Sequence, residues 1–261
     1  MIDLHCHLLP DVDDGSASLE ESLEMIRQYL HAGFTGAVCT SHFHPDRYLV
    51  AAAQIEEGVA LLQEECERQG LTFSLHTGHE IFATVQTPQQ IQSGEALPLA
   101  ESRYVLLELP FDVAPASLSN MLFQLQLNGY IPIIGHLERY RYVQDNEGWA
   151  DPLIQKGALI QLNLWSLSGD FGSASYKVAH RLMETNRVHF LSTDAHGTTG
   201  RSADVGQLLD SLRKTYGNER IDQLTKTNPS KVVENRRIDP GFDQIIREAK
   251  PKKGFFRRLF S

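Results

Sequence analysis

The chain has few cysteines. Among its 261 residues only Cys6, Cys39 and Cys66 occur, an odd number without a Cys-x-x-Cys pair. This usage argues against a disulfide scaffold and fits a reducing compartment. A metal site in this protein would therefore have to be built from other side chains, and we interpret the three cysteines as packing residues.

Long apolar segments are also absent. No apolar run approaches the ~18 residues that a membrane-spanning helix needs, and the amino terminus has a strand pattern rather than that of a signal peptide. The sequence therefore predicts a cytoplasmic protein. A chain of this length with 41% hydrophobic residues can bury one sizeable core, and we expect a single domain.

Acidic residues are missing from the last twelve positions, although the net charge is −9. That segment holds five basic residues, which leaves 19 basic against 33 acidic residues in the rest of the chain. An acidic body argues against nucleic-acid binding.

Apolar segments and helical patterns alternate along the chain. A capping-box pattern at Ser18 predicts a helix to about His31, and helical patterns follow over 51–69 and 118–129. Strands are predicted over 1–7, 34–41, 71–79, 104–109, 131–135, 158–163 and 188–193. About seven strands alternating with helices predict an α/β fold with a parallel sheet of βαβ units.

Polar side chains follow or end nearly every predicted strand. In the first strand, simple alternation would place Asp3, His5 and His7 on one face and Leu4 and Cys6 on the other. The carboxyl ends of parallel strands meet at one rim of a (β/α) barrel, where active sites are built. The residues concerned are His5, His7, His42, Glu80, Glu108, His136, Asp194 and His196. Mixed imidazole and carboxylate donors suit Mn²⁺, Fe²⁺ or Zn²⁺.

Together these motifs resemble the PHP (polymerase and histidinol phosphatase) superfamily, and more narrowly its bacterial manganese-dependent protein-tyrosine phosphatases of capsule and exopolysaccharide loci. The resemblance covers roughly residues 1–237. The motifs are Ile2-Asp3-Leu4-His5-Cys6-His7, Asp13-Asp14-Gly15-Ser16, Glu20-Glu21-Ser22, Thr40-Ser41-His42, Gly78-His79-Glu80, His136-Leu137-Glu138-Arg139-Tyr140 and Ser192-Thr193-Asp194-Ala195-His196.

The resemblance implies a distorted, TIM-like (β/α)7 PHP barrel that binds three divalent ions, with Mn²⁺ favoured. It assigns one ion to His5, His7, Glu80 and Asp194, a second to Glu80, Glu108 and His136, and a third to Asp14, His42 and His196. Spacing alone does not separate Asp13 from Asp14.

Such a site permits hydrolysis of a phosphate monoester by water that the ions activate. We expect Arg139 and Arg201 to bind the phosphate, and His44 is a candidate proton donor. A cysteine phosphatase needs an arginine six residues after its cysteine. Here those positions hold Val12, Pro45 and Thr72, so that mechanism is excluded.

The expected substrate is phosphotyrosine on a protein, in particular an autophosphorylating bacterial tyrosine kinase at the membrane that controls capsule or exopolysaccharide synthesis. Two alternatives remain open. One is another PHP phosphoesterase, such as a histidinol-phosphate phosphatase, and the other is a metal-stabilised binding module without turnover.

Residues 238–261 are interpreted as an extension beyond the phosphatase domain. On a helical wheel Phe255, Phe256, Leu259 and Phe260 fall within about 140°, with arginines outside that arc and lysines upstream. This pattern is typical of weak binding at a membrane surface and would place the protein at the inner face of the membrane. The alternative is a tail that packs its aromatic side chains on the barrel or on a partner subunit.

Overall fold

Strands and helices alternate through the computed structural model, which describes residues 1–241. The seven strands of this region are β1 Ile2–Cys6, β2 Gly36–Phe43, β3 Ser74–Phe82, β4 Tyr104–Glu108, β5 Ile131–Ile134, β6 Leu159–Asn163 and β7 Phe190–Ser192. Their number and order agree with the sequence prediction.

The helices pack around the strands. They are α1 Leu19–His31, α2 Ala52–Arg68, α3 Thr87–Gln92, α4 Leu118–Leu127, α5 Arg141–Asp145, α6 Ala150–Gln155, α7 Leu164–Ser168, α8 Ser173–Glu184, α9 Gly206–Tyr216, α10 Asn218–Asp222 and α11 Asn228–Val233. Short 3₁₀ turns span Leu99–Glu101, Leu137–Arg139 and Glu147–Trp149, and a π turn spans Gln223–Thr227.

The sheet is parallel throughout and runs in chain order from β1 to β7. Its two edges meet where the Asp194 N–H donates to the His5 carbonyl (2.8 Å) and the His7 N–H donates to the Ala195 carbonyl (2.9 Å). The strands therefore form a nearly closed barrel, and the expected distorted (β/α)7 barrel in one domain is confirmed. All seven carboxyl ends lie at one rim.

The barrel interior is filled by apolar side chains from six of the strands. They are Leu4, Val38, Tyr104, Leu106, Ile133, Leu159 and Phe190. Val232 of α11 and Ile238 pack against the same cluster. This apolar layer fills the barrel below the carboxyl-terminal rim.

Helix α1 begins where the capping box predicts. The Ser18 hydroxyl accepts the Glu21 N–H (3.2 Å), and the helix starts at the next residue, Leu19. Buried Met25, Ile26 and Tyr29 pack α1 on the barrel.

Simple alternation in β1 was a wrong prediction. Four residues of β1, from Asp3 to Cys6, are matched by only three of β2, from Ala37 to Cys39, so the ladder contains an irregularity. Leu4 consequently joins the interior cluster, whereas Cys6 packs in the outer layer with the helices. The carboxylate of Asp3 bonds the hydroxyls of Tyr29 and Thr193 rather than an imidazole.

Strands β2 and β3 extend two to three residues beyond their predicted ends. Their register pairs His42 with Glu80 and Phe43 with Ile81. Polar side chains interrupt the apolar pattern there, but the backbone ladder continues because its hydrogen bonds do not depend on side-chain polarity. His42 and Glu80 are therefore held within strands, as neighbours.

The end of the described chain packs under the barrel. The hydroxyl of Tyr104 donates to the Arg236 carbonyl (2.6 Å), and His189 Nε2–H donates to the Pro240 carbonyl (3.2 Å). The domain boundary after residue 237 stays a prediction, and the basic amphipathic tail lies outside the described residues. Within 1–241, no helix combines the length and the apolar character needed to cross a membrane.

Candidate active site

The predicted polar residues meet at a cavity of about 120 Å³ at the carboxyl-terminal rim. It is lined by Asp14, His42, Arg47, Glu80, Glu108, Phe111, His136, Arg139, Asp194, His196 and Arg201. A larger cavity of about 570 Å³ beside Met1 lies at the opposite end of the strands and contains none of the predicted residues. The smaller, polar cavity is thus the one that matches the sequence prediction.

Two imidazoles and two carboxylates form the floor of this cavity. His5 Nε2 lies 3.3 Å from Glu80 Oε1 and 3.4 Å from Asp194 Oδ1. His7 Nε2 lies 3.5 Å from Glu80 Oε2 and 3.6 Å from Asp194 Oδ1. All four side chains are buried, so their charges and lone pairs are directed at one another rather than at bulk water.

Glu80 occupies the centre, with a histidine at each carboxylate oxygen. His136 Nε2 lies 2.8 Å from Oε1, and His42 Nδ1 lies 3.0 Å from Oε2. Glu108 is next to this group, since its Oε1 lies 4.0 Å from His136 Nε2. A carboxylate approached from both sides is the geometry expected of a bridging ligand.

The two neighbouring aspartates at the rim have different partners. Asp14 Oδ1 lies 3.2 Å from His42 Nε2 and 3.5 Å from His196 Nε2, facing the cavity. Asp13 Oδ2 instead accepts from His7 Nδ1 (2.8 Å) and from the His42 N–H (3.0 Å). The geometry therefore places Asp14 among the candidate ligands and Asp13 behind His7 and His42.

Several pKa values in the cavity are displaced. Burial, together with the Glu80 carboxylate, raises the pKa of Glu108 to about 8. Burial lowers the pKa of His136 to about 4. For His42 burial acts downward, but Glu80 and the contact with Asp14 raise its pKa to about 10. Carboxylates this close to one another are best accommodated by cations, which relieve their repulsion.

Two of the candidate ligands sit on strained backbone. His136 and Asp194 lie two residues beyond the ends of β5 and β7 and have positive φ angles of 34° and 53°, in the left-handed region. A backbone hydrogen bond holds each of them. The His136 N–H donates to Gln161 Oε1 (2.8 Å), and the Asp194 N–H donates to the His5 carbonyl (2.8 Å). Residues held this way at strand ends are commonly functional.

Gly15 allows the rim loop to approach β1. A Cβ at this position would lie 2.4 Å from both the Cβ and the carbonyl oxygen of His7. The Ser16 N–H donates to the same carbonyl (3.1 Å), and the Gly15 N–H donates to Asp13 Oδ1 (3.0 Å). A larger residue at position 15 would push Asp13 and Asp14 away from the histidines.

Strand β6 contributes two residues that the sequence analysis did not identify. Gln161 Oε1 lies 3.1 Å from His5 Nδ1, and its amide donates to Asn163 Oδ1 (2.9 Å). The Asn163 amide in turn donates to Asp194 Oδ2 (2.7 Å). Two polar side chains spaced by two residues in an otherwise apolar strand are the signal that would have indicated them. They orient His5 and Asp194.

Both predicted arginines reach the cavity. Arg139 Nη1 and Arg201 Nη1 lie 3.1 and 3.3 Å from Asp194 Oδ2. The guanidinium carbon of Arg139 also lies 5.1 Å from the ring centre of Phe111 and 4.5 Å from that of Phe171. These two rings, absent from the sequence prediction, restrict the orientation of Arg139.

His44 is the predicted residue that the structure does not bring into the cavity. Its Nδ1 accepts the Asp46 N–H (3.2 Å), and its ring packs at 4.1 Å from that of Phe82. Arg47, three residues further, lines the cavity instead and was missed because nothing in its local sequence distinguishes it from a surface arginine.

The cysteines have no part in this site. All three are free and buried, and Cys6 donates to the Val38 carbonyl (3.3 Å). Burial raises the pKa of Cys6 and Cys39, so their thiolates are disfavoured. This supports the exclusion of a cysteine mechanism.

The donor set fits divalent cations. Four buried imidazole nitrogens have no hydrogen-bond partner within the described residues, namely His5 Nε2, His7 Nε2, His42 Nδ1 and His136 Nδ1. Three of these four face the carboxylates of the cavity. Four overlapping groups of candidate ligands result: His7 with Asp14, His42 and His196; His5 with His7 and Glu80; His5 with His136 and Asp194; and His42 with Glu80 and Glu108.

Comparison with known proteins identifies relatives over nearly the whole chain. The chain is 33% identical to tyrosine-protein phosphatase YwqE of Bacillus subtilis, over 98% of this chain and 100% of the relative. It is 28% identical to tyrosine-protein phosphatase CpsB of Streptococcus pneumoniae, over 91% and 100% of the two chains.

A solved structure from work on these two proteins, described as metal-dependent tyrosine phosphatases, superposes with a TM-score of 0.87 at 32% identity and covers 91% of this chain and 96% of its own. The family model for capsular polysaccharide synthesis, CpsB/CapC, matches residues 1–234. The chain therefore belongs to the CpsB/CapC family.

Proposed function

We propose that the protein is a metal-dependent protein-tyrosine phosphatase. The observation that carries this proposal is the convergence of nine histidine, aspartate and glutamate side chains, with three arginines, at one cavity. Relatives over nearly the full length are named as tyrosine-protein phosphatases, which supports the substrate class.

We assign three divalent ions to the site, with Mn²⁺ as the favoured metal and Fe²⁺ or Zn²⁺ as alternatives. The ligand sets are those that the resemblance implies: His5, His7, Glu80 and Asp194; Glu80, Glu108 and His136; Asp14, His42 and His196. The contacts of Glu80 with four imidazoles support its role between two sets. His42 contacts both Glu80 and Asp14 and therefore lies between two of these sets.

Bound divalent ions would lower the pKa of water toward neutrality and neutralise negative charge on the phosphoryl oxygens. The protein contributes orientation. Arg139 and Arg201 are directed at the same oxygen of Asp194, so their remaining N–H groups are available to a phosphoryl group at the rim. The phenol of tyrosine has a pKa of ~10, low enough that it leaves without a strong general acid.

The substrate we propose is a phosphotyrosine protein, in particular an autophosphorylating, membrane-associated bacterial tyrosine kinase that controls capsule or exopolysaccharide synthesis. The family description of capsular polysaccharide synthesis supports this partner. Such a kinase presents its tyrosines in the cytoplasm, where we place the protein, and the three free cysteines agree with a reducing compartment.

Substrate comparison tests this function. Turnover of phosphotyrosine peptides and of histidinol phosphate should be measured with the metal content of the same sample. We expect the peptides to be the better substrates, EDTA to abolish turnover and iodoacetamide to leave it unchanged. Preference for histidinol phosphate would identify another phosphoesterase, and fully loaded protein that releases no phosphate would identify a binding module.

A further inference from the structure

The chain folds back on itself directly after β2. Phe43 and Leu49 form an antiparallel bridge, the His44 N–H donates to the Tyr48 carbonyl (2.7 Å), and the Val50 N–H donates to the His42 carbonyl (3.3 Å). Residues 42–50, which we name the rim hairpin, therefore have a hydrogen-bonded backbone. A hairpin of this kind can hold side chains in fixed positions beside the cavity.

The rim hairpin is also anchored at its turn. His44 is buried against Phe82 of β3, and its Nδ1 accepts the Asp46 N–H, while the Arg47 N–H donates to the His44 carbonyl (3.3 Å). His44 thus has a structural role in the turn. These contacts place the next two side chains, those of Arg47 and Tyr48, at the edge of the site.

Tyr48 presents a flat apolar surface there. Its ring stacks on that of His42, with the centroids 5.9 Å apart and an interplanar angle of 15°. The side chain is 37% exposed, and its second face has no aromatic partner within residues 1–241. When the phosphoryl group of a phosphotyrosine is bound in the cavity, its phenyl ring could pack on this face.

Arg47 differs from the other two arginines of the cavity. Arg139 and Arg201 both pair with Asp194, whereas Arg47 lines the cavity without an ion pair to any residue in 1–241. Its charge is thus available to a group on a bound substrate. Since arginine pairs best with carboxylates and phosphates, the complementary group is an anion next to the reacting phosphate.

We propose that the rim hairpin selects the substrate. Tyr48 packs on the phenyl ring of phosphotyrosine, and Arg47 pairs with the carboxylate of an acidic residue flanking that tyrosine. The inference rests on the proposed phosphatase function and adds the sequence context of the tyrosine. It also explains why a surface hairpin beside the site is held by so many contacts.

The role proposed for Arg47 is tested with two phosphotyrosine peptides that differ only in having glutamate or lysine next to the phosphotyrosine. We expect the wild type to favour the glutamate peptide by a factor of about five in kcat/KM, mainly through KM, and less at high salt. Arg47→Gln should remove this preference and Arg47→Glu should reverse it. Arg68→Gln, an exposed arginine at the far end of α2, is the matched control and should change neither rate.

Outcomes separate this inference from the function on which it rests. Equal turnover of both peptides by the wild type and by both Arg47 variants would overturn the Arg47 assignment and leave the phosphatase function standing. Turnover of neither peptide would overturn the function itself. A loss in kcat that is equal for both peptides would place Arg47 on the phosphoryl group and also contradict the assignment.

The role proposed for Tyr48 is tested by comparing the rates of Tyr48→Phe and Tyr48→Leu on matched phosphotyrosine and phosphoserine peptides. Phenylalanine keeps the ring, so Tyr48→Phe should retain the wild-type ratio of the two rates. Tyr48→Leu should lower kcat/KM for phosphotyrosine by about two- to tenfold and change the phosphoserine rate much less. An equal change for both peptides, or none, would contradict packing of Tyr48 on the substrate ring.

Discussion

Asp13 and Asp14 are adjacent in the chain, yet their carboxylates face different histidine nitrogens. Asp13 Oδ2 lies 2.8 Å from His7 Nδ1, the nitrogen directed away from the cavity, whereas Asp14 Oδ1 lies 3.2 Å from His42 Nε2 and 3.5 Å from His196 Nε2. Spacing left both aspartates open as ligands, and these contacts favour Asp14 as the candidate ligand and Asp13 as the residue that orients His7.

This difference predicts that substitutions of Asp14 and Asp13 affect metal binding differently. Asp14→Ala should lower the bound metal by one ion per chain, because it removes the carboxylate between His42 and His196. Asp13→Asn should keep the stoichiometry but weaken metal affinity about 10- to 100-fold, the usual effect of losing the partner of a ligating histidine. Metal titrations followed by elemental analysis measure both quantities. Loss of an ion in the Asp13 variant with full loading of the Asp14 variant would reverse the assignment.

Arg139 is predicted to act on the substrate rather than on the metals. Arg139→Ala should lower kcat/KM on a phosphotyrosine peptide by at least ~10², because it removes charge-assisted hydrogen bonds to the phosphoryl group. Arg139→Lys should recover only part of this loss, since an ammonium group cannot form the planar contacts that Phe111 and Phe171 favour. Metal content serves as the control, and an unchanged rate with normal loading would assign Arg139 to the surface.

The buried His189, at the end of the barrel opposite the cavity, predicts a pH effect on stability. His189 Nδ1 accepts the Ile160 N–H (3.0 Å), Nε2–H donates to Pro240, and burial lowers the pKa of His189 from 6.5 to about 4. Between these values the unfolded chain binds more protons than the folded one, so the free energy of unfolding falls as the pH falls through this window. The contribution of this one histidine at pH 4.5 is about 2 kcal/mol.

His189→Gln tests this prediction because glutamine offers an acceptor and a donor but does not titrate. Urea unfolding at pH 7 and pH 4.5 should show a fall in the free energy of unfolding that is about 2 kcal/mol smaller for the variant than for the wild type. Identical falls would show that His189 does not contribute to the pH dependence.

The basic tail predicts membrane binding that is separable from catalysis. Each basic residue near an anionic surface contributes about 1 kcal/mol, so five of them with an apolar face should give weak, salt-sensitive binding. The full chain should co-sediment with anionic liposomes at low salt, and a truncation ending at Glu248 should not. Both should hydrolyse a soluble phosphotyrosine peptide equally. Equal sedimentation of the full chain and the truncation would contradict membrane binding by the tail. Loss of activity on the soluble peptide in the truncation would instead favour a tail packed against the barrel.

The strand order and the convergence of the candidate ligands were predictable because each depends on local patterns. In a parallel barrel, a polar residue at the carboxyl end of an apolar strand lies at the same rim as the others, however far apart they are in the chain. A local pattern also predicted that α1 begins after Ser18, since capping is a contact over three residues.

Other features depend on contacts that no local pattern contains. The irregularity of β1 lies in its ladder with β2, and Asp3, at its start, accepts a hydrogen bond from Thr193, 190 residues away. Gln161 was missed because its partner, His5, is 156 residues distant. The position of His44 in the rim hairpin, rather than in the cavity, depends on Phe82 of the next strand.

Glu80 provides the most direct test of the proposed mechanism, since it contacts four histidines and is the residue that we propose to lie between two ions. Metal content and turnover of a phosphotyrosine peptide should be measured on the same samples of wild type, Glu80→Ala and the exposed control Glu24→Ala. We predict that Glu80→Ala loses two ions together and all measurable turnover, while the control keeps both. Full metal content with a near-normal rate in Glu80→Ala would contradict the proposed metal-dependent mechanism.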